Sequence, residues 1–210
     1  MNLANRLTLL RLALVPVFMI FTVLDHFWTR LFALVIFVVA SLTDLMDGYF
    51  ARKYGEITDF GKFMDPLADK FLTSAAFICF VGMRELRVPS WMVVLIIGRE
   101  LIVTGLRLLA ASKGEKIAAD RSGKFKTGVQ ITAVIAVMAI LCVNSFMRLF
   151  HHFNPRTLFY RSGWENFLGN FLQHAPFWLV FVSMLVTLYS GIHYLYQNRG
   201  IFSKEIGLKS

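Results

Sequence analysis

At 210 residues, with 57% of them hydrophobic, 21 Phe, only 17% charged and a mean hydropathy of +0.60, the chain is too apolar for a soluble domain of its length. The formal net charge of +9 fits a membrane protein whose basic residues meet anionic lipid, so it implies no nucleic-acid partner. The expectation is one all-α, polytopic membrane domain over residues 1–210.

Six apolar windows fall at 8–24, 32–50, 67–83, 91–111, 127–147 and 176–196, each near the ~20 residues a helix needs to cross hydrocarbon. Six transmembrane helices are therefore predicted. The first, LALVPVFMIFTVL, imitates a signal peptide, but no small-residue cleavage pattern follows it and it is read as a helix. Asn5, Thr8 and Arg11 recur at helical spacing at its start, which reads as an interfacial anchor with a capping Thr. Cys79 and Cys142 lie inside the third and fifth windows and read as small buried hydrophobes rather than a disulfide or metal site. Between the fifth and sixth windows, LFHHFNPRTLFYRSGWENFLGNFLQHAP is aromatic and moderately amphipathic, which predicts a helix lying in the outer headgroup layer. His151 and His152 are adjacent, so they point to different faces of a helix and predict no metal site.

Orientation follows from the basic residues between windows. With the amino terminus in the cytoplasm, fourteen Lys and Arg fall on the inner side and six on the outer side, while Arg99 and Arg107 lie inside the fourth window. Both termini are then cytoplasmic.

The stretch DLMDGYFARKYGEITDFGKFMDPLADK, from Asp44 to Lys70, spends charge where a membrane protein should be most reluctant to. Asp44, Asp47, Gly48 and Ala51 fall within about 100° of arc on one helix, and Asp65 and Asp69, four apart, form a second stripe. The short connection between them makes helices 2 and 3 antiparallel neighbours, so the two stripes can face each other. Asp44 lies about 12 Å along the helix from Arg52, too deep for casual solvation, whereas Glu56 and Asp59 read as solvated turn residues.

Four carboxylates in a partly dehydrated pocket repel unless cations neutralise them. All-oxygen ligands without nearby Cys or His favour Mg²⁺ or Mn²⁺ over zinc, and four carboxylates are enough for two ions. Gly48 and Gly61 remove side chains where a ligand would approach, though close helix packing selects them equally well. Arg52 can place a guanidinium over phosphate oxygens. Pro66 is easiest to accommodate in the first turn of helix 3.

The pattern Asp-x2-Asp-Gly-x2-Ala-Arg-x8-Gly-x3-Asp-x3-Asp resembles the signature of the CDP-alcohol phosphotransferase family, matched at Asp44, Asp47, Gly48, Ala51, Arg52, Gly61, Asp65 and Asp69. The resemblance implies six transmembrane helices, a homodimer, and transfer of a phosphatidyl group from a CDP-linked donor to an alcohol with release of CMP. It implies Asp44, Asp47 and Asp65 as metal ligands, and Gly48 and Arg52, with Gly61, at the donor CDP-diacylglycerol. Asp69 is implied as general base and possible metal ligand, hence the loosest ligand of the four. Asn5 and Thr8 would help close the nucleotide site.

The signature does not see the acceptor. Elsewhere, NRLTLLRLALVP, GRELIVTGLRLLAA and GEKIAADRSGKFKT resemble bacterial members of the family that use sn-glycerol 3-phosphate. That dianion needs cations, and Arg99, Arg107, Lys124 and Lys126 are the candidates, with Arg107 preferred. Arg99 adjoins Glu100, so a structural ion pair is its other reading. The competing functions are a family member with another acceptor, such as inositol phosphate, serine or a phosphatidylglycerol, and a transporter or channel whose intramembrane charges line a pathway.

Overall fold

A computed structural model describes the backbone of residues 3–54, 59–112, 121–151 and 164–198, and the side chains of residues 9–43, 70–110, 123–149 and 169–198. These residues form six helices: α1 (Leu3–Val23), α2 (Phe27–Tyr54), α3 (Asp59–Gly82), α4 (Ser90–Ser112), α5 (Arg121–His151) and α6 (Trp164–Gln197). Each expected window falls on one helix, in order. Two described segments, Gly123–Leu149 and Gly169–Gln197, are long and apolar enough to cross a membrane by themselves, and Leu9–Val23, Phe27–Thr43 and Lys70–Gly82 are shorter apolar helices.

Most helices outrun their windows, because a helix satisfies its own backbone wherever it continues, while apolarity marks only the part that meets lipid. Since α3 begins at Asp59, Pro66 stands seven residues into it and not in the first turn. There it withholds the N–H that would bond the carbonyl of Lys62. The expected headgroup helix is corrected over part of its length: α5 runs on to His151 and the stretch from Trp164 is continuous with α6 through Pro176, while residues 152–163 lie outside the described residues. Directly after the proline the rings of Phe177 and Phe181 stack and Trp178 meets both edge-on.

α1 packs against both α2 and α3, α5 against α2, α3 and α6, and α4 against α3 and α6. Their common core is aliphatic and aromatic, built on Phe18, Phe37, Phe77, Phe80, Met138 and Val180. Phe32, Val94, Ile102, Trp178 and Ile192 face outward, each more than half exposed. Apolar surface of that extent belongs against lipid. Cys79 and Cys142 are free thiols buried in the helices, as expected.

Among the described residues, paired charges gather in two layers. At one end, Arg30 of α2 is almost fully buried and bonds Ser145 Oγ at 2.8 Å through Nη1 and Glu85 through Nη2. Arg148 closes the square, with Nη1 2.7 Å from Asp25 and Nη2 3.0 Å from Glu85. This layer joins the α1–α2 and α3–α4 turns to the end of α5. At the other end Lys70, Arg99, Glu100 and Lys126 meet. Lys126 and Ser145 are 19 residues apart on α5, hence about 29 Å along its axis, close to the ~30 Å of a hydrocarbon core. The helices run between two interfaces, and this is a membrane protein.

Candidate active site

The end of α2 and the start of α3 carry the acidic signature, with only residues 55–58 between the two helices. α2 buries Ala33, Phe37 and Ala40. At 100° per residue, position 44 falls within about 20° of positions 33 and 37, and position 47 within about 20° of position 40. α3 buries Leu72, Ala76 and Phe80, and positions 65 and 69 each fall within about 20° of Ala76. The aspartate positions therefore continue, in register, the rows that make the core higher in the bundle. The backbone of Asn5 and Thr8 lies on α1, of Asp44, Asp47, Gly48 and Arg52 on α2, and of Gly61, Asp65 and Asp69 on α3; their side chains lie outside the described residues, as does Glu56 altogether.

The candidate donors are all carboxylates, on two helices joined by residues 55–58. Its chemistry fits hard divalent ions such as Mg²⁺ or Mn²⁺ and would leave strongly repelling anions without them.

Directly after Asp69 the described side chains resume, and they form a polar cluster. Glu100 of α4, 5% exposed, is its hub. Its Oε1 is ion-paired with Lys126 of α5, accepts a bond from Gln130 Nε2 at 3.2 Å and lies 3.5 Å from Arg99 Nη1; its Oε2 lies 3.6 Å from Lys70 of α3. Three cations thus share one carboxylate where three helices meet. The excess positive charge is suited to an incoming dianion, and a single buried carboxylate keeps the cations from repelling one another apart.

The four basic residues expected at an acceptor phosphate divide into two groups. Arg99 and Lys126 are both held on Glu100, and Lys126 is 3% exposed. Arg107 is exposed, about 12 Å further along α4 than Arg99, with its guanidinium over the Tyr194 ring at 5.3 Å. A Cβ on Gly123 would lie 3.8 Å from Arg107 Nη2, so the guanidinium rests against the start of α5. Lys124, one position later, is exposed.

Sequence reasoning treated Glu100 only as a neighbour of Arg99 and did not single out Lys70 or Gln130. The signal was present: an ionisable residue inside an apolar window is functional by default, and its partners are other polar residues in such windows. An open groove of about 700 Å³ between α5 and α6 is lined by Phe125, Val129, Ala133, Trp178 and Val182 and lacks the charge that phosphoryl chemistry requires.

A family model described as CDP-alcohol phosphatidyltransferase matches residues 1–160. The chain is 48% identical over 149 residues to the Bacillus subtilis protein named CDP-diacylglycerol–glycerol-3-phosphate 3-phosphatidyltransferase, covering 65% of this chain and 76% of that protein. It is 47% identical over 136 residues to the Mycobacterium tuberculosis protein named "Probable phosphatidylglycerophosphate synthase", covering 63% of this chain and 64% of that protein. A Rickettsia typhi protein with the same name as the Bacillus one is 37% identical over 133 residues, 63% of this chain and 74% of its own length. The chain thus spans roughly two thirds to three quarters of these relatives. With more than half of the chain inside the family match, and the eight signature residues within it, the protein belongs to the CDP-alcohol phosphatidyltransferase family.

Proposed function

We propose that the protein transfers the phosphatidyl group of CDP-diacylglycerol to sn-glycerol 3-phosphate, yielding phosphatidylglycerophosphate and CMP. The observation that carries this is the 48% identity to a relative named for that reaction. The cation-rich cluster around Glu100 supports an anionic acceptor over serine or another acceptor without net charge.

In this reading Asp44, Asp47 and Asp65, with Asp69 as the loosest ligand, hold two Mg²⁺ or Mn²⁺ ions. Bound there, the metal supplies charge neutralisation on the bridging and leaving phosphate oxygens. Gly48, Arg52 and Gly61 bind the nucleotide and pyrophosphate, and Asn5 and Thr8 close the nucleotide side. Arg107, Arg99, Lys124 and Lys126 attract and orient the glycerol 3-phosphate dianion. Asp69 accepts the proton of the acceptor hydroxyl as its oxygen attacks the phosphorus bearing the diacylglycerol. The new P–O bond forms as the bond to the CMP phosphate breaks, and CMP leaves with the electron pair.

The setting is a single domain of six transmembrane helices in the bacterial cytoplasmic membrane, dimeric, with both termini and the acidic signature on the cytoplasmic side. The excess of Lys and Arg on that side supports the orientation. Purified protein incubated with CDP-diacylglycerol, Mg²⁺ and a panel of alcohols tests the reading. CMP release with glycerol 3-phosphate alone is expected. Release with inositol phosphate, serine or phosphatidylglycerol instead would reassign the acceptor, and solute flux without any CMP would make the protein a transporter.

A further inference from the structure

The polar face of α6 lies beyond the family-matched residues 1–160, yet it reaches both arginines of α4. Thr187, Ser190, Gly191 and Tyr194 stand at i, i+3, i+4 and i+7, one stripe of the helix, and all four are buried. Ser190 Oγ accepts a bond from Arg99 Nη2 at 3.0 Å. A Cβ on Gly191 would lie 2.8 Å from Arg99 Cγ and 3.0 Å from its Nε, so the absence of a side chain there is what lets the arginine stem lie flat on α6. One turn on, the Tyr194 ring carries the guanidinium of Arg107. One turn back, Thr187 accepts from Gln130 Nε2 at 3.0 Å, and the same nitrogen donates to Glu100. Ser190, Gly191 and Tyr194 each meet an arginine of α4, and Thr187 reaches their carboxylate hub through Gln130.

We propose that the Thr187–Ser190–Gly191–Tyr194 stripe of α6 is the positioning surface for Arg99 and Arg107, and so sets the affinity for the acceptor phosphate. The proposal rests on the acceptor reading above. Gly191 is its most exacting member, because the atom a methyl group would strike is the Arg99 stem, not a flexible tip that can swing aside. Ser190 and Tyr194 act on the guanidinium ends, through a hydrogen bond and a ring face.

The test is steady-state CMP release by Gly191→Ala and by Ser190→Ala, the second removing a bond without adding volume, each also made in an Arg99→Ala background. For Gly191→Ala, KM for glycerol 3-phosphate should rise about tenfold, the size of a lost charge-assisted hydrogen bond. Its kcat and its KM for CDP-diacylglycerol should stay within about twofold of wild type, and Ser190→Ala should show the same split more weakly. Neither substitution should change KM further once Arg99 is alanine, since the stripe acts through that side chain. Equal rises in both KM values, an unchanged KM for the acceptor, or an effect that survives Arg99→Ala would each overturn the proposal. Wild-type protein that releases no CMP with glycerol 3-phosphate would instead bring down the acceptor reading, and this inference with it.

Discussion

Replacing Glu100 by Gln removes the negative charge on which, among the described residues, Lys70, Arg99 and Lys126 converge. The three cations are not equally exposed to the loss. Lys70 is about one quarter exposed and can turn its ammonium toward water, and Arg99 keeps its bond to Ser190. Lys126 is 3% exposed, so its charge would be left buried beside a neutral amide. Breaking a buried pair by removing one partner costs about 3–5 kcal/mol, and Gln keeps the shape and one acceptor oxygen, which places the expected loss near 3 kcal/mol. For a chain of this size that lowers the apparent Tm by about 6–12 °C. Thermal unfolding in detergent, followed by intrinsic fluorescence, reads the shift. The decisive comparison is the double variant Glu100→Gln/Lys126→Met, in which the stranded charge is gone and the methylene stem is retained; it should recover to within about 1 kcal/mol of wild type. A single variant as stable as wild type, or a double variant no better than the single, would refute the reasoning.

Asp69→Asn should bind CDP-diacylglycerol with near wild-type affinity in the presence of Mg²⁺ while losing ~10²-fold or more in turnover, whereas Asp65→Asn should lose metal binding and turnover together; calorimetry and single-turnover CMP release separate the two, and equal loss of donor binding would make Asp69 chiefly a ligand. Arg107→Ala should raise KM for glycerol 3-phosphate about tenfold with little change for CDP-diacylglycerol, and parallel changes in the two constants would assign it to the fold or the donor. Arg30→Gln removes one of the two cations on Glu85, which keeps Arg148, and the buried bond to Ser145, so about 2 kcal/mol of stability should go without a change in either KM, because that layer lies about 29 Å from the Glu100 cluster; altered acceptor kinetics in that variant would show the two layers to be coupled.

Membrane residence and six helices were legible from composition and spacing, because the bilayer demands a run of about 20 apolar residues and leaves little freedom in how to meet the demand. Family membership was equally legible, because the eight signature residues stand at fixed spacing within the matched segment. Helix ends were not legible: α3 reaches back to Asp59 and α6 runs straight through Pro176, because hydropathy reports contact with lipid and says nothing of where backbone hydrogen bonding stops. Nor could spacing along the chain distinguish Lys126 from Lys124. Both are lysines two positions apart at the start of α5, and the helix turns one toward Glu100 and the other toward solvent. Which basic residues are held on a carboxylate, and which face the solvent, depends on pairings between residues such as Glu100 and Lys126 on α4 and α5, or Arg99 and Ser190 on α4 and α6. Helix periodicity tells which side chains share a face, but only the packing of six helices brings one face against another, and it is there that a buried charge finds the partner it needs.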